Sequence, residues 1–184
     1  MKNFFISDTH FFHANIIKYE NRPFANVREM NEEMIRRWNK KVSPEDNVYI
    51  LGDFSFGKVD ETCELLKRLN GKKYLIKGNH DKVVKTKRVA DMFEWIKPYH
   101  VYKDKKTGLS AVLFHFPIYT WDREHHGALH FYGHVHSGSH HGNPYHPQAI
   151  NVGVDVNNFE PIEFMEIMEL MKKRGSVWLQ ENTL

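Results

Sequence analysis

Apolar residues recur along the chain in short runs, each cut off by polar residues. Residues 3–6, NFFI, read as a first strand. Residues 27–38, VREMNEEMIRRW, carry Met30, Met34, Ile35 and Trp38 at helical spacing. Asn26 is the N-cap, with Glu29 at the capping-box position. A second strand is predicted over 47–51, NVYIL, then a helix over 60–69 with Leu65, Leu66 and Leu69 inward and Gly71 as its stop. A third strand covers 73–77, KYLIK. Residues 99–103 and 109–114 form a hairpin around KDKKTG. Further strands are predicted over 128–132, ALHFY, and 148–152, QAINV. The last helix is placed at 161–171, with Pro161 at its start. The segment RGSVWLQENTL after it has no clear pattern. Strands alternate with helices early and dominate later, which predicts a layered α/β protein with a mixed sheet or two packed sheets.

A length of 184 residues suggests one domain, spanning 1–184, with a substantial core. The net charge of +3 is too weak to argue nucleic-acid binding and suits an anionic substrate equally well. One cysteine, Cys63, allows no intrachain disulfide, and its helical position reads as a small core residue. The opening MKNFFISDTH is interrupted too soon for a secretion signal, and no segment reaches the ~20 apolar residues of a membrane span. A cytoplasmic setting is expected, with no membrane partner. Nine of the 13 histidines lie between residues 115 and 146, and that density suggests metal.

The strand endings carry the strongest signal. NFFI is followed by Ser7, Asp8, Thr9 and His10, and NVYIL by Gly52 and Asp53. KYLIK gives way to Gly78, Asn79, His80 and Asp81. GLSAVLF ends at His115, and ALHFY at Gly133, His134, Val135 and His136. Each run stops at metal-ligand chemistry on its carboxyl end, the edge where α/β sheets bind ligands. If the strands lie side by side, Asp8, His10, Asp53, Asn79, His115, His134 and His136 converge. Seven ligands exceed one tetrahedral ion and fit two ions sharing a carboxylate. Nitrogen and oxygen donors without thiolate suit manganese, iron, zinc, cobalt or nickel, and we expect two divalent transition-metal ions, manganese first. Two aspartates against two divalent ions leave a positive centre suited to phosphate. Gly52, Gly78 and Gly133 are expected to let the backbone turn sharply at the edge.

In their order along the chain, DTH, GD, GNHD, a lone histidine and GHVH resemble the calcineurin-like metallophosphoesterases. NRPF at 21–24, HFPIYTWD at 115–122 and NVGVD at 151–155 are similar to small, uncapped bacterial and phage members. The resemblance implies a four-layer αββα sandwich of mixed sheets, the metallophosphoesterase fold. It implies that Asp8, His10 and His136 hold one ion, that Asn79, His115 and His134 hold the other, and that Asp53 bridges them. It also implies phosphoester hydrolysis by a hydroxide held between the ions, with His80 beside the substrate and Asp81 orienting His80 through its other N–H. Phosphoprotein phosphatases of this superfamily carry an arginine soon after the bridging aspartate and a glutamate after GNH. Here Asp53 is followed by FSFGK and His80 by Asp81, so phosphoprotein is a poor substrate. An open site favours small or nucleotide-type phosphodiesters, with a phosphomonoesterase or nucleotidase, or a nuclease, as alternatives; a non-catalytic binding module ranks last, because every metal ligand and the GNH histidine are present.

Other residues have weaker claims. Arg22 could clamp a phosphate oxygen, and His13 could flank the site. His125, His126 and His130 could shape the substrate pocket, whereas His140 and His141 read as an exposed loop. The stretch DKVVKTKRV at 81–89 reads as a solvated face that could receive a polyanion.

Overall fold

The computed structural model describes residues 1–137 and 146–173. His140, His141 and the segment 174–184 lie outside the described residues. The elements run β1 (Asn3–Ile6), α1 (Ile16–Tyr19), α2 (Val27–Lys41), β2 (Asn47–Ile50), α3 (Val59–Arg68) and β3 (Lys72–Ile76). They continue through α4 (Lys87–Ala90), β4 (Trp95–Lys97), β5 (Tyr99–Lys103), β6 (Ser110–Phe114), β7 (Leu129–Tyr132), β8 (Ala149–Asn151), β9 (Ile162–Glu163) and α5 (Phe164–Lys173).

Two mixed sheets result. The first has the order β4-β3-β2-β1-β9, and the second β5-β6-β7-β8. Within the first, β1 to β4 are parallel and β9 runs antiparallel to β1. In the second, β5 is antiparallel to β6, and β6, β7 and β8 are parallel. The chain crosses from one sheet to the other at Pro98, between β4 and β5. Pro98 cannot donate to a ladder, so the crossing falls where no strand hydrogen bond is lost.

Alternation along the strands sorts the core into layers. Phe4, Ile6, Val48 and Ile50 face the helices and meet Met30, Met34, Trp38, Leu65 and Leu66. Phe5, Leu51 and Ile76 point the other way and meet Leu113, Phe131 and Ile150 of the second sheet, with Phe164 and Met168 of α5. Cys63, Met30 and Met34 are buried, as expected of core residues. On the outer face of the second sheet, Val112 is covered by Trp121 and Ala128 from the β6–β7 connection.

Some expectations are corrected. Ile162 and Glu163 are not helical but extend along β1, opposite Phe5 and Phe4, so α5 starts at Phe164. An unpaired edge on β1 takes a partner in preference to one more helical turn. The capping box is also shifted by one residue. The Asn26 side chain accepts from the Glu29 N–H at 3.0 Å, but the Glu29 carboxylate accepts from Ala25 rather than from Asn26. The pattern missed β4 and the one-turn helices α1 and α4, which are too short for periodicity to show. No helix of the described residues is long and apolar enough to cross a membrane.

Phe5 joins the two sheets. It is fully buried, and its ring meets Tyr49, Tyr102 and Phe131 at centroid distances of 5.2, 5.3 and 4.9 Å. Phe5→Ala is expected to destabilise the fold by about 3–5 kcal/mol, read as a lower urea midpoint at unchanged slope.

Candidate functional site

Register brings the strand ends together. Ile6 aligns with Ile50 and Ile50 with Leu75, and Asp8, Asp53 and Asn79 follow these by two, three and four residues. In the second sheet Leu113 aligns with Phe131, and His115 and His134 follow by two and three. All seven expected ligands therefore emerge on one edge of the sandwich.

They form two groups. Asp8, His10 and His136 bring one donor atom each within 4.8 Å of one another, and so do Asp53, His115 and His134. Asp53 Oδ2 lies 3.8 Å from His10 Nε2 and 3.5 Å from His115 Nε2, so one carboxylate oxygen faces both groups. Its other oxygen accepts the His80 backbone N–H at 2.8 Å. Asn79 Oδ1 stands 3.0 Å from His115 Nε2, within the second group.

The donor chemistry fits bound cations. Asp8 Oδ1 and both ring nitrogens of His10 are buried without a hydrogen-bond partner. Such orphans cost about 1–3 kcal/mol each unless something else satisfies them. His115 Nδ1 meets the Leu51 carbonyl at 2.7 Å. As the neutral tautomer that donates there, it leaves the Nε2 lone pair facing the oxygens of Asn79 and Asp53. A cation resolves that clash of lone pairs. His136 is arranged alike, with Nδ1 held by Asp155 Oδ2 at 2.8 Å.

The same crowding perturbs titration. Burial pushes the Asp8 carboxyl up to about 6 and drives His10 down to about 2. Burial also opposes the charged form of Asp53, but the His115 hydrogen bond and charge, with the His80 N–H, outweigh it and hold Asp53 at about 2. His115 and His136 are raised against burial, chiefly by Asp53 and Asp155 respectively.

Strain sits in the donor residues themselves. Asp8, His10, Asp53, His134 and His136 have φ of 56°, 49°, 53°, 69° and 45°. Left-handed backbone costs a non-glycine residue on the order of 1–3 kcal/mol and persists only where its surroundings fix it. Here they do. Asp8 N donates to Gly52 O, His10 N to Asp53 O, and the Asn151 amide to His136 O. The expected role of the glycines is thus corrected, since among the three only Gly52 has positive φ. Gly78 and Gly133 serve close approach instead, because a side chain at either would collide with the Asp53 or Asp8 carboxylate.

Two assigned roles change. Arg22 does not face substrate: its side chain is fully buried. It makes a fork on Asp155, with Nε on Oδ1 at 2.8 Å and Nη2 on Oδ2 at 3.0 Å, and donates to the carbonyls of Asp8 and Thr9. Arg22 therefore fixes Asp155, which fixes His136. Nor does Asp81 orient His80. It is 1 % exposed, and its carboxylate accepts the N–H groups of Asp53, Phe54 and Gly78 at 2.8–2.9 Å. With both oxygens occupied it ties the loop after β3 to the loop after β2.

His80 is exposed at the rim, its ring 6.0 Å from that of His10. His13 lies beside the centre, its ring 5.7 Å from that of His10. His130 does not shape a pocket. It is buried, bonded to the Val112 carbonyl and packed on Trp121. His125 and His126 lie on a short turn at 124–126, near Arg123, away from the two donor groups. Asp155 is the residue that the sequence reading did not assign, although NVGVD was noticed.

Two mixed sheets with paired oxygen and nitrogen donor sets on their shared edge define a metal-binding α/β protein. The family model for calcineurin-like phosphoesterase matches residues 1–103. An uncharacterized protein of Methanocaldococcus jannaschii is 41 % identical over 182 residues, covering 94 % of this chain and 92 % of that one. The gene 66 protein of Mycobacterium phage L5 is 28 % identical over 177 residues, covering 82 % and 85 %. Among solved structures, a protein of unknown function from Aquifex aeolicus superposes with a TM-score of 0.72 at 31 % identity, over 92 % of this chain and 98 % of that one. The chain belongs to the calcineurin-like phosphoesterase family, divalent-metal hydrolases acting on phosphoester bonds.

Loss of an outer partner weakens a ligand without removing it. Asp155→Asn is expected to lower affinity at the Asp8–His10–His136 group by about 10–100-fold while the other group stays filled. Metal content after graded dialysis would then show loss from one site at a markedly lower chelator concentration than in the parent.

Proposed function

We propose that the protein is a dinuclear-metal phosphodiesterase acting on small or nucleotide-type phosphodiesters, with manganese as the working ion. The observation that carries this reading is Asp53 Oδ2, placed 3.8 Å from a donor of one group and 3.5 Å from a donor of the other. Asp8, His10 and His136 would hold one cation, Asn79, His115 and His134 the second, and Asp53 both. Two such cations, when bound, supply activation of water and neutralisation of charge at phosphorus.

The chain's own residues do the rest. Asp53 is held against the His80 backbone N–H, so its other oxygen keeps its direction. Asp81 pins the Asp53 and Gly78 backbones, which fixes the distance between the bridging carboxylate and the GNH loop. His80 lies outside both donor groups with its ring exposed, free to donate to a phosphoryl oxygen or to the departing alcohol. An exposed His80 beside exposed Asn79 leaves room for a second ester substituent, which favours a diester over a terminal phosphate. His13 borders the same space, its ring 5.7 Å from that of His10 and stacked on Phe56.

Protein stripped of metal and reloaded with Mn²⁺ is expected to cleave bis-p-nitrophenyl phosphate in preference to p-nitrophenyl phosphate. Asp53→Asn should abolish turnover and lower occupancy at both metal sites. A reversed preference would replace the diesterase reading with a monoesterase, and metal-loaded protein inert toward both would sink it.

His80→Ala is expected to keep both metals and lose on the order of 10²–10⁴ in kcat. Unchanged turnover in that variant would remove His80 from the chemistry.

A further inference from the structure

The loop after β2 and the loop after β3 stand apart and enclose a cleft of about 480 Å³. Phe56, Lys58 and Val59 line one wall, and His80, Lys82 and Val83 the other. Its size lies within the ~300–1,000 Å³ usual for small-molecule sites. The cleft adjoins the donor groups directly, since the Phe56 ring lies 5.2 Å from that of His10 and 5.1 Å from that of His80.

Hydrogen bonds hold both walls. Phe56 N donates to Phe11 O at 2.9 Å, and Ser55 Oγ pairs with Thr62 Oγ1 at 2.9 Å while accepting from Gly57 N at 3.1 Å. The facing loop is held by the three N–H bonds of Asp81. On this hydrogen-bonded loop Phe56 is nonetheless 39 % exposed. His13 stacks on its ring at 4.2 Å and 22°, and the rings of His10 and His80 lie tilted beside it at 34° and 36°. The part of this aromatic that stays in water borders the cleft and offers a planar group a surface to stack on.

Charge at the cleft has the same character. Lys58 and Lys82 are exposed, and their ammonium groups form no ion pair among the described residues. The acids around them are engaged elsewhere. Asp60 pairs with Arg88, Glu61 accepts the backbone N–H of Lys58, and Asp91 pairs with Lys87. Of the basic stretch at 81–89, Lys87 and Arg88 are therefore neutralised, while Lys82 looks into the cleft.

We propose that this cleft is the leaving-group subsite and that it takes a nucleotide. The base lies on Phe56, and a phosphate carried by the leaving nucleoside, one position beyond the scissile ester, lies between Lys58 and Lys82. This rests on the phosphodiesterase reading and narrows it: the substrate joins nucleotides and bears a further phosphate on the departing side. Base stacking on an aromatic and hydrogen bonds to a charged phosphate each change affinity by about tenfold.

The test compares thymidine 3′,5′-bisphosphate, thymidine 5′-monophosphate and inorganic phosphate as ligands of the Mn²⁺-loaded protein, by calorimetry. The parent protein is expected to bind the bisphosphate at least about tenfold more tightly than the monophosphate. Lys58→Ala/Lys82→Ala should erase that ratio. Phe56→Ala should weaken both nucleotides about tenfold relative to inorganic phosphate. All three side chains are exposed, so an unchanged thermal melt certifies folding. A ratio near one in the parent, or a ratio the double variant leaves intact, overturns the subsite. Hydrolysis of bis-p-nitrophenyl phosphate, run in parallel, separates the two claims. Diester cleavage without the bisphosphate preference overturns the subsite alone. The preference without any diester cleavage overturns the leaving-group assignment and the phosphodiesterase reading together.

Discussion

Lone pairs crowded onto one edge of the sandwich are the constraint on which the rest depends. Asp8, His10, Asp53, Asn79, His115 and His136 bring carboxylate, amide and imidazole acceptors within a few ångströms, with few donors between them. Buried polar atoms without partners are rare because each is costly. Left-handed backbone at five of the donor residues adds to that cost. Cations bound at the two groups would offset both, which would link metal binding to the stability of this edge.

Neither sheet builds the centre alone. Asp8, His10, Asp53 and Asn79 leave the first sheet, whereas His115, His134 and His136 leave the second. Each donor group mixes the two sources. Hydrogen bonds cross the seam at the same level: the His134 N–H donates to Asp8 Oδ2, and His115 Nδ1 meets the Leu51 carbonyl. The apolar layer around Phe5 sets the distance between the sheets and, through it, the distance between donors. Two buried charged residues then act as struts. Asp81 joins neighbouring loops of the first sheet, and Arg22 with Asp155 braces His136 from behind. Both had invited a role at the substrate. Both are turned inward, because a buried carboxylate or guanidinium needs every oxygen or N–H answered.

Much of this was legible in the chain. Strands β1, β2, β3, β5 and β6 and helices α2 and α3 follow from apolar spacing, and each ligand follows a strand end. What escaped was short or non-local. Strand β4 has three residues, and Ile162 with Glu163 is a strand only because β1 offers an open edge. Arg22 and Asp155 are 133 positions apart, so no window on the sequence could pair them.

The sequence by itself determined the chemistry on offer: aspartate, asparagine and histidine set down after apolar runs, without thiolate, in a fixed order. Residue type and local spacing settle that much, since strand length and donor identity are local properties. Only the tertiary structure decided which oxygen of Asp53 faces both groups, that Gly78 and Gly133 clear space rather than turn, and that Arg22 and Asp81 are braces. Those outcomes depend on distances across the seam, and packing of two sheets, not order along the chain, sets such distances.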